Sequence, residues 1–151
     1  MHEGKAQSAV ARMSAFWLAG AGLLAIGALH YLAARSVPDL AAWPASLPAP
    51  SPWIHLPAFV NGALPSFLHT LAFGFLGAAA QGGRKALVPA AAVAGAVNLL
   101  FELGQHPAMA ARLSLGYFVN GTFDAMDVLA VACAVVLAAF VSLWLDRRTF
   151  P

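Results

Sequence analysis

The chain has 151 residues, of which 61% are hydrophobic and only 9% are charged, whereas an ordinary soluble domain carries about 25% charged residues. This composition excludes a typical water-soluble domain, and the net charge of +2 is too small to indicate a nucleic-acid partner. Cys133, which lies in an apolar run, is the single cysteine of the sequence. Because it has no second cysteine to pair with, it cannot form a disulfide within the chain.

Four apolar stretches approach the roughly 20 residues that a helix needs to cross a bilayer. They are residues 15–34, 63–80, 86–104 and 123–145. Because backbone polar groups must be satisfied within each segment in lipid, each stretch is predicted to be a helix. The first stretch is longer than the apolar core of a signal peptide. The sequence therefore predicts a single all-α membrane domain over residues 1–151, a polytopic bundle of four transmembrane helices.

Lys and Arg residues are distributed unevenly between the two sides of these spans. Six lie on the side that holds both termini and two lie on the other side. The six are Lys5, Arg12, Arg84, Lys85, Arg147 and Arg148, and the two are Arg35 and Arg112. Since cytoplasmic loops are enriched in Lys and Arg, both termini are predicted to be cytoplasmic.

The connections between spans also have distinctive compositions. The non-cytoplasmic loop, residues 35–62, holds six of the ten prolines, so it is predicted to be irregular, with a short interfacial segment around Pro52–Val60. Pro65 is then expected in the first turn of the second helix, where proline is tolerated. On the other side, Gly82 and Gly83 predict a tight turn between the second and third spans.

Small residues recur every four positions on the last two spans. The third span carries Ala91 and Gly95, and the fourth carries Ala130, Ala134 and Ala138. In lipid this spacing allows helix backbones to approach closely. We therefore expect these positions to lie at helix–helix contacts.

Polar side chains inside the spans are costly in lipid and therefore mark candidate functional positions. All of them are expected in the outer half of the membrane, on faces shared within each helix. The sequence thus predicts a polar pocket that opens to the extracytoplasmic side. Its candidate ligand-binding residues are His69, Asn98, Glu102, Gln105, Asp124 and Asp127.

Three interpretations of this pocket remain open. Carboxylates with imidazole can hold a divalent cation, a carboxylate beside a histidine can act as a general acid–base, or the groups can bond one another and stabilise the bundle.

Asp124 also suits a helix start, where its charge favours the helix dipole, whereas His55 and His106 are expected to be solvated. The sequence contains no nucleophile elbow, phosphate-binding loop or cysteine cluster, so a non-enzymatic role is favoured and no specific cofactor, metal or catalytic residue is identified.

Three segments resemble, in order and spacing, motifs of VanZ-like membrane proteins. They are Ser66–Gly77 with its His-x-x-x-Phe pattern, Leu100–Gln105 with Glu-x-x-Gln, and Gly121–Ala130 with Phe-Asp-x-x-Asp. The resemblance covers residues 64–140. This chain departs from the family pattern at Pro65 and Ser66, where members often carry Asp-Lys, and at Val131 and Ala134, where they often carry Asn and Gly.

The resemblance implies a multi-pass protein of the bacterial inner (cytoplasmic) membrane with a role in the cell envelope, since the family is associated with reduced susceptibility to a glycopeptide antibiotic. The leading hypothesis is a pocket that binds a lipid-linked headgroup or a cell-wall-related ligand, with membrane lipids as partners. One alternative is an accessory structural subunit of a larger membrane complex, with protein partners. A second alternative is a metal-dependent membrane hydrolase.

Overall fold

A computed structural model describes residues 2–34, 52–113 and 123–147. In this part of the chain the secondary structure is helical and the order is α1, α2, a short 3-10 turn, α3, α4 and α5. The bounds are α1 His2–Ala34, α2 Ala58–Ala80, the 3-10 turn Arg84–Ala86, α3 Leu87–Gln105, α4 Pro107–Leu113 and α5 Ala125–Arg147. Four of the helices, α1, α2, α3 and α5, contain segments long and apolar enough to cross a membrane. The prediction of an all-α bundle of four membrane-spanning helices is confirmed.

The first helix is longer than the sequence pattern predicted. α1 has 33 residues and is therefore about 50 Å long, against a hydrocarbon core of about 30 Å. Its apolar segment, Met13–Ala34, agrees with the predicted span, and the preceding part continues the helix beyond it. By contrast, α3 and α5 begin and end within two residues of the predicted spans.

The second helix begins earlier than predicted, and the expected position of Pro65 was wrong. α2 begins at Ala58, directly after Pro57, so Pro65 lies inside the helix, where it is buried. The last residues assigned to the proline-rich loop are therefore helical, while Pro52–Pro57 is irregular as predicted and residues 35–51 lie outside the described chain. Proline is tolerated inside membrane helices because neighbouring groups can satisfy the backbone carbonyl that it leaves without its usual donor.

The end of α1 is held by the start of the next segment. The backbone N–H groups of Trp53 and Ile54 donate to the Ala33 carbonyl over 2.7 and 3.0 Å. The Asn61 side chain on α2 donates from Nδ2 to the Ala34 carbonyl over 3.2 Å. These bonds satisfy carbonyls that have no partner within the helix, and they fix the C-terminal end of α1 to the start of α2.

The turn between α2 and α3 is built on two glycines, as predicted. Gly82 and Gly83 have φ angles of 89° and 118°, which residues other than glycine rarely adopt. The Gly83 N–H donates to the Ala78 carbonyl over 2.7 Å, the bond that closes a Schellman motif. This turn allows the two helices to run side by side.

The central helix of the bundle is α2, which packs against α1, α3 and α5. In its most apolar segment 44% of the residues are buried, compared with 22%, 28% and 22% for the segments of α1, α3 and α5. α3 and α5 also pack against each other, whereas α1 packs chiefly on α2. Phe16 of α1 joins Leu71 of α2 and Ala134 of α5 in the same buried cluster.

Small residues determine how closely these helices approach. A Cβ atom on Gly74 of α2 would lie 2.8 Å from the Ala91 Cβ on α3, and one on Gly95 would lie 3.0 Å from Val131 Cγ1 on α5. Every residue of the predicted small-residue stripes on α3 and α5 is buried. The expectation that these stripes lie at helix–helix contacts is confirmed.

At the glycine-turn end, an ion pair ties the α2–α3 connection to the end of α5. Arg84 Nη2 lies 2.7 Å from Asp146 Oδ1, and Arg84 Nη1 donates to the Leu145 carbonyl over 3.3 Å. Ser142 Oγ donates in return to the Arg84 carbonyl over 3.4 Å. A cation at a helix C-terminus is favoured by the helix dipole, so this contact stabilises the last turn of α5. The sequence analysis did not anticipate it.

The Gly74 contact gives a direct test of the packing. Gly74→Ala should lower the stability of the bundle by about 1–3 kcal/mol, because the new methyl group overpacks the α2–α3 contact. Gly22→Ala on α1 is the matched control, since a Cβ there has open space around it and alanine has the higher helix propensity. Thermal unfolding in one detergent measures both. Equal midpoints for the two variants would contradict the packing described here.

Candidate functional site

The six residues predicted to bind a ligand are all half-buried and lie on α2, α3 and the start of α5. The structure brings some of them together and separates others.

The start of α5 meets the C-terminal end of α3 through two carboxylates. Asp124 directly precedes α5, and its Oδ1 accepts the Met126 N–H over 2.8 Å, which is the side-chain bond of a helix N-cap. The Asp124 backbone N–H donates to Glu102 Oε2 over 3.4 Å. Both carboxylates therefore lie at the positive end of the α5 dipole.

A third carboxylate and a glycine complete this cluster. Asp127 lies in the first turn of α5, and both it and Asp124 are near the Glu102 carboxylate. On the α2 side, a Cβ atom on Gly62 would lie 3.3 Å from Asp124 Oδ2, so the α2 backbone lies against this carboxylate. We call Glu102, Asp124 and Asp127 the carboxylate cluster. It draws on α3 and α5 and is bordered by the first turns of α2.

Asn98 is bound to α2 and not to the carboxylate cluster. Its Nδ2 donates to Thr70 Oγ1 over 2.7 Å, and Thr70 is fully buried. Gly95 lies one turn away on α3, where its missing side chain leaves room for the Thr70 methyl group. The bond therefore ties α2 to α3 about one turn from the close contact between Gly74 and Ala91.

His69 lies on the other side of α2, against α1. Its Nε2 is 4.0 Å from the position of a Cβ on Gly27, and its ring centroid is 6.4 Å from that of Phe73. These contacts place His69 against α1 and within α2, away from the α3 side on which Asn98 is bound. The sequence placed His69 at the same depth as the carboxylates but could not assign it to a side of α2.

The end of α3 is set by Pro107. Proline disfavours helical geometry in the residue before it, and His106 is extended, with φ −61° and ψ 131°. His106 then opens α4, accepting the Ala108 N–H at Nδ1 over 3.4 Å, and its ring lies 5.4 Å from that of Phe123. It is exposed, as is His55, and Gln105 is the half-buried last residue of α3. α4 itself was not predicted.

Metal binding finds no support in the described part of the chain. Within residues 2–34, 52–113 and 123–147, no group of three or more His, Cys, Asp or Glu side chains is arranged to hold a metal ion. Comparison with protein-family models, with curated proteins and with solved structures finds no match to this chain. The function must therefore be inferred from the site alone.

The sequence analysis missed three residues that shape this region. Thr70 is the acceptor for Asn98, Gly62 makes room for the Asp124 carboxylate, and Asn61 holds the end of α1. Asn61 was detectable in principle, since a polar side chain that close to a span requires a partner. Thr70 and Gly62 were not, because their roles depend on which helices lie beside α2.

The Thr70–Asn98 bond can be measured with a double-mutant cycle. Thr70→Val and Asn98→Leu should each destabilise the bundle, and the double variant should lose less than the sum of the two. Hydrogen bonds between membrane helices have coupling energies of about 0.6 kcal/mol and at most about 1.7 kcal/mol. Unfolding free energies in mixed micelles give the coupling, and strictly additive effects would show that the bond contributes nothing.

Substitutions at Asp124 separate the contribution of its helix cap to stability from the contribution of its negative charge. Asp124→Ala should lose about 1 kcal/mol, whereas Asp124→Asn should keep most of the stability, because asparagine caps helices as well as aspartate does. Unfolding in the same micelles measures both. If Asp124→Asn destabilised the protein as strongly as Asp124→Ala, the negative charge and not the cap would be the stabilising feature.

Proposed function

We propose that this chain is a VanZ-like protein of the bacterial inner membrane whose carboxylate cluster binds the headgroup of a lipid-linked or cell-wall-related ligand. The observation that carries the proposal is the meeting of Glu102, Asp124 and Asp127 at one end of the bundle, where none of them is fully buried. With the termini in the cytoplasm, as the Lys and Arg distribution predicts, this end faces the outside of the cell.

The charge of the cluster indicates which headgroups it would accept. One carboxylate is sufficient to cap α5, and Asp124 already does so. Glu102 and Asp127 bring two further carboxyl groups to the same place, and where these are ionised their like charges repel in a medium of low dielectric constant. A group that donates hydrogen bonds, such as an amine or a set of sugar hydroxyls, would relieve this repulsion. A bare phosphate would add to it.

The second candidate, an accessory subunit of a membrane complex, also has a specific observation in its favour. Glu102 accepts a backbone N–H at the start of α5, so part of the cluster joins α3 to α5 without any ligand. In that interpretation the cluster is structural, and the exposed faces of the outer helices contact partner proteins. The metal-dependent hydrolase has no comparable support among the described residues.

Glu102→Gln and Asp127→Asn test the proposal with little change of shape. Protein extracted from its own membrane in a mild detergent is examined by native mass spectrometry, with Asp146→Asn at the opposite end of α5 as the control for loss of one negative charge. We expect wild type and the control to retain a bound mass, and the two cluster variants to lose it while remaining folded.

Other outcomes of this experiment are equally informative. Retention of the same mass by Glu102→Gln and Asp127→Asn would contradict a ligand site at the cluster. Co-purification of the chain with other proteins at fixed stoichiometry, unchanged in these variants, would support the accessory subunit instead.

A further inference from the structure

A second site candidate lies far from the carboxylate cluster, between α2 and α3 near the glycine turn. A groove of about 450 Å³ runs along these two helices. Its floor includes Gly77 and Ala90, where a Cβ on the glycine would lie 2.7 Å from the alanine Cβ. Because the backbones nearly touch there, the side chains on either side stand above the floor, and Phe73 and Val93 are 51% and 66% exposed.

The interior of the groove is apolar, and its polar residues lie at its two ends. Asn98 closes the end near the middle of the bundle, and its Nδ2 already donates to Thr70. Gln81 lies at the other end, at the glycine turn, and is exposed. The groove therefore presents hydrocarbon along its length and a polar group only at the mouth beside the turn. This change from apolar to polar along the groove suits an amphipathic molecule whose polar part lies at Gln81.

The length of the groove corresponds to one leaflet of a bilayer. On α3 the groove extends from Pro89 to Asn98, which is about 14 Å along the axis, or about half of a 30 Å hydrocarbon core. The groove can therefore hold one extended chain from a single leaflet.

The positive charge near the mouth of the groove indicates which lipid headgroup the site would favour. The turn that joins the two helices of the groove carries Arg84 and Lys85. Arg84 is engaged by Asp146 and the Leu145 carbonyl, whereas Lys85 is exposed. A lysine at a membrane surface attracts anionic lipid headgroups. Lys85 does not line the groove, but it lies on the turn that follows Gln81, so we expect it to be close to the headgroup of a lipid whose chain occupies the groove.

We propose that this groove binds one acyl chain of an anionic phospholipid, with the headgroup beside Gln81 and Lys85. The site uses the leaflet that meets the glycine turn, and it shares no residue with the carboxylate cluster. It adds a lipid site that is separate from the function proposed above, and either can hold without the other.

Delipidated protein in detergent, titrated with phosphatidylglycerol or phosphatidylcholine and followed by native mass spectrometry, tests this proposal. We expect one phosphatidylglycerol to bind before any others. Ala94→Leu, which places a larger side chain in the groove, should weaken that binding by about tenfold. Ala96→Leu on an exposed position of the same helix, outside the groove, is the matched control and should bind as wild type does. Lys85→Gln should remove about fivefold of the preference for phosphatidylglycerol over phosphatidylcholine.

Several results would overturn the proposal. One is a series of equal binding steps with no first site, which indicates ordinary annular lipid. A second is an equal response of Ala94→Leu and Ala96→Leu. A third is loss of phosphatidylglycerol in Glu102→Gln, because the lipid would then bind at the carboxylate cluster. If Ala94→Leu does not fold, Val93→Phe narrows the groove from its exposed rim and makes the same test.

Discussion

The close approach of α2 to its neighbours is the contact on which the rest of the bundle depends. Lipid tails are as apolar as leucine, so membrane helices associate through packing and hydrogen bonds and not through removal of apolar surface from water. Gly74 against Ala91 and Gly95 against Val131 bring the backbones together. Only at that separation can the short Thr70 side chain reach Asn98. The hydrogen bond between Thr70 on α2 and Asn98 on α3 therefore depends on the small residues that let the helices approach.

The same packing explains why the carboxylates meet. α3 ends where Pro107 prevents its continuation, and α5 packs beside α3 along Gly95 and Val131. The positive N-terminus of α5 therefore lies beside the last turns of α3, and Glu102 reaches it. A helix start attracts an anion whether or not a ligand is present. The excess charge is the feature that capping does not require, and for that reason Asp127 is the most informative member of the cluster.

The sequence predicted the helices well because span length and hydropathy are imposed by the bilayer. The glycine turn and the small-residue stripes were also predictable, since each depends on local conformation or spacing. Pro65 was misplaced because the apolar pattern does not mark the first turns of α2. The division between His69 on the α1 side and Asn98 on the α3 side could not be predicted at all. Spacing shows which residues share a face of one helix, but not which neighbour that face meets.

The charges at the two ends of the bundle have different origins. Lys and Arg concentrate at the glycine-turn end, which is the distribution that predicts a cytoplasmic position for this end, but the rule behind that prediction places little constraint on Asp and Glu. Of the acidic side chains whose surroundings are described, Asp146 at that end is paired with Arg84, whereas Glu102, Asp124 and Asp127 lie together at the other end. Membrane topology therefore does not explain the acidic end. The dipole of α5 offsets part of this charge, and in the function proposed above a bound donor group would offset the remainder.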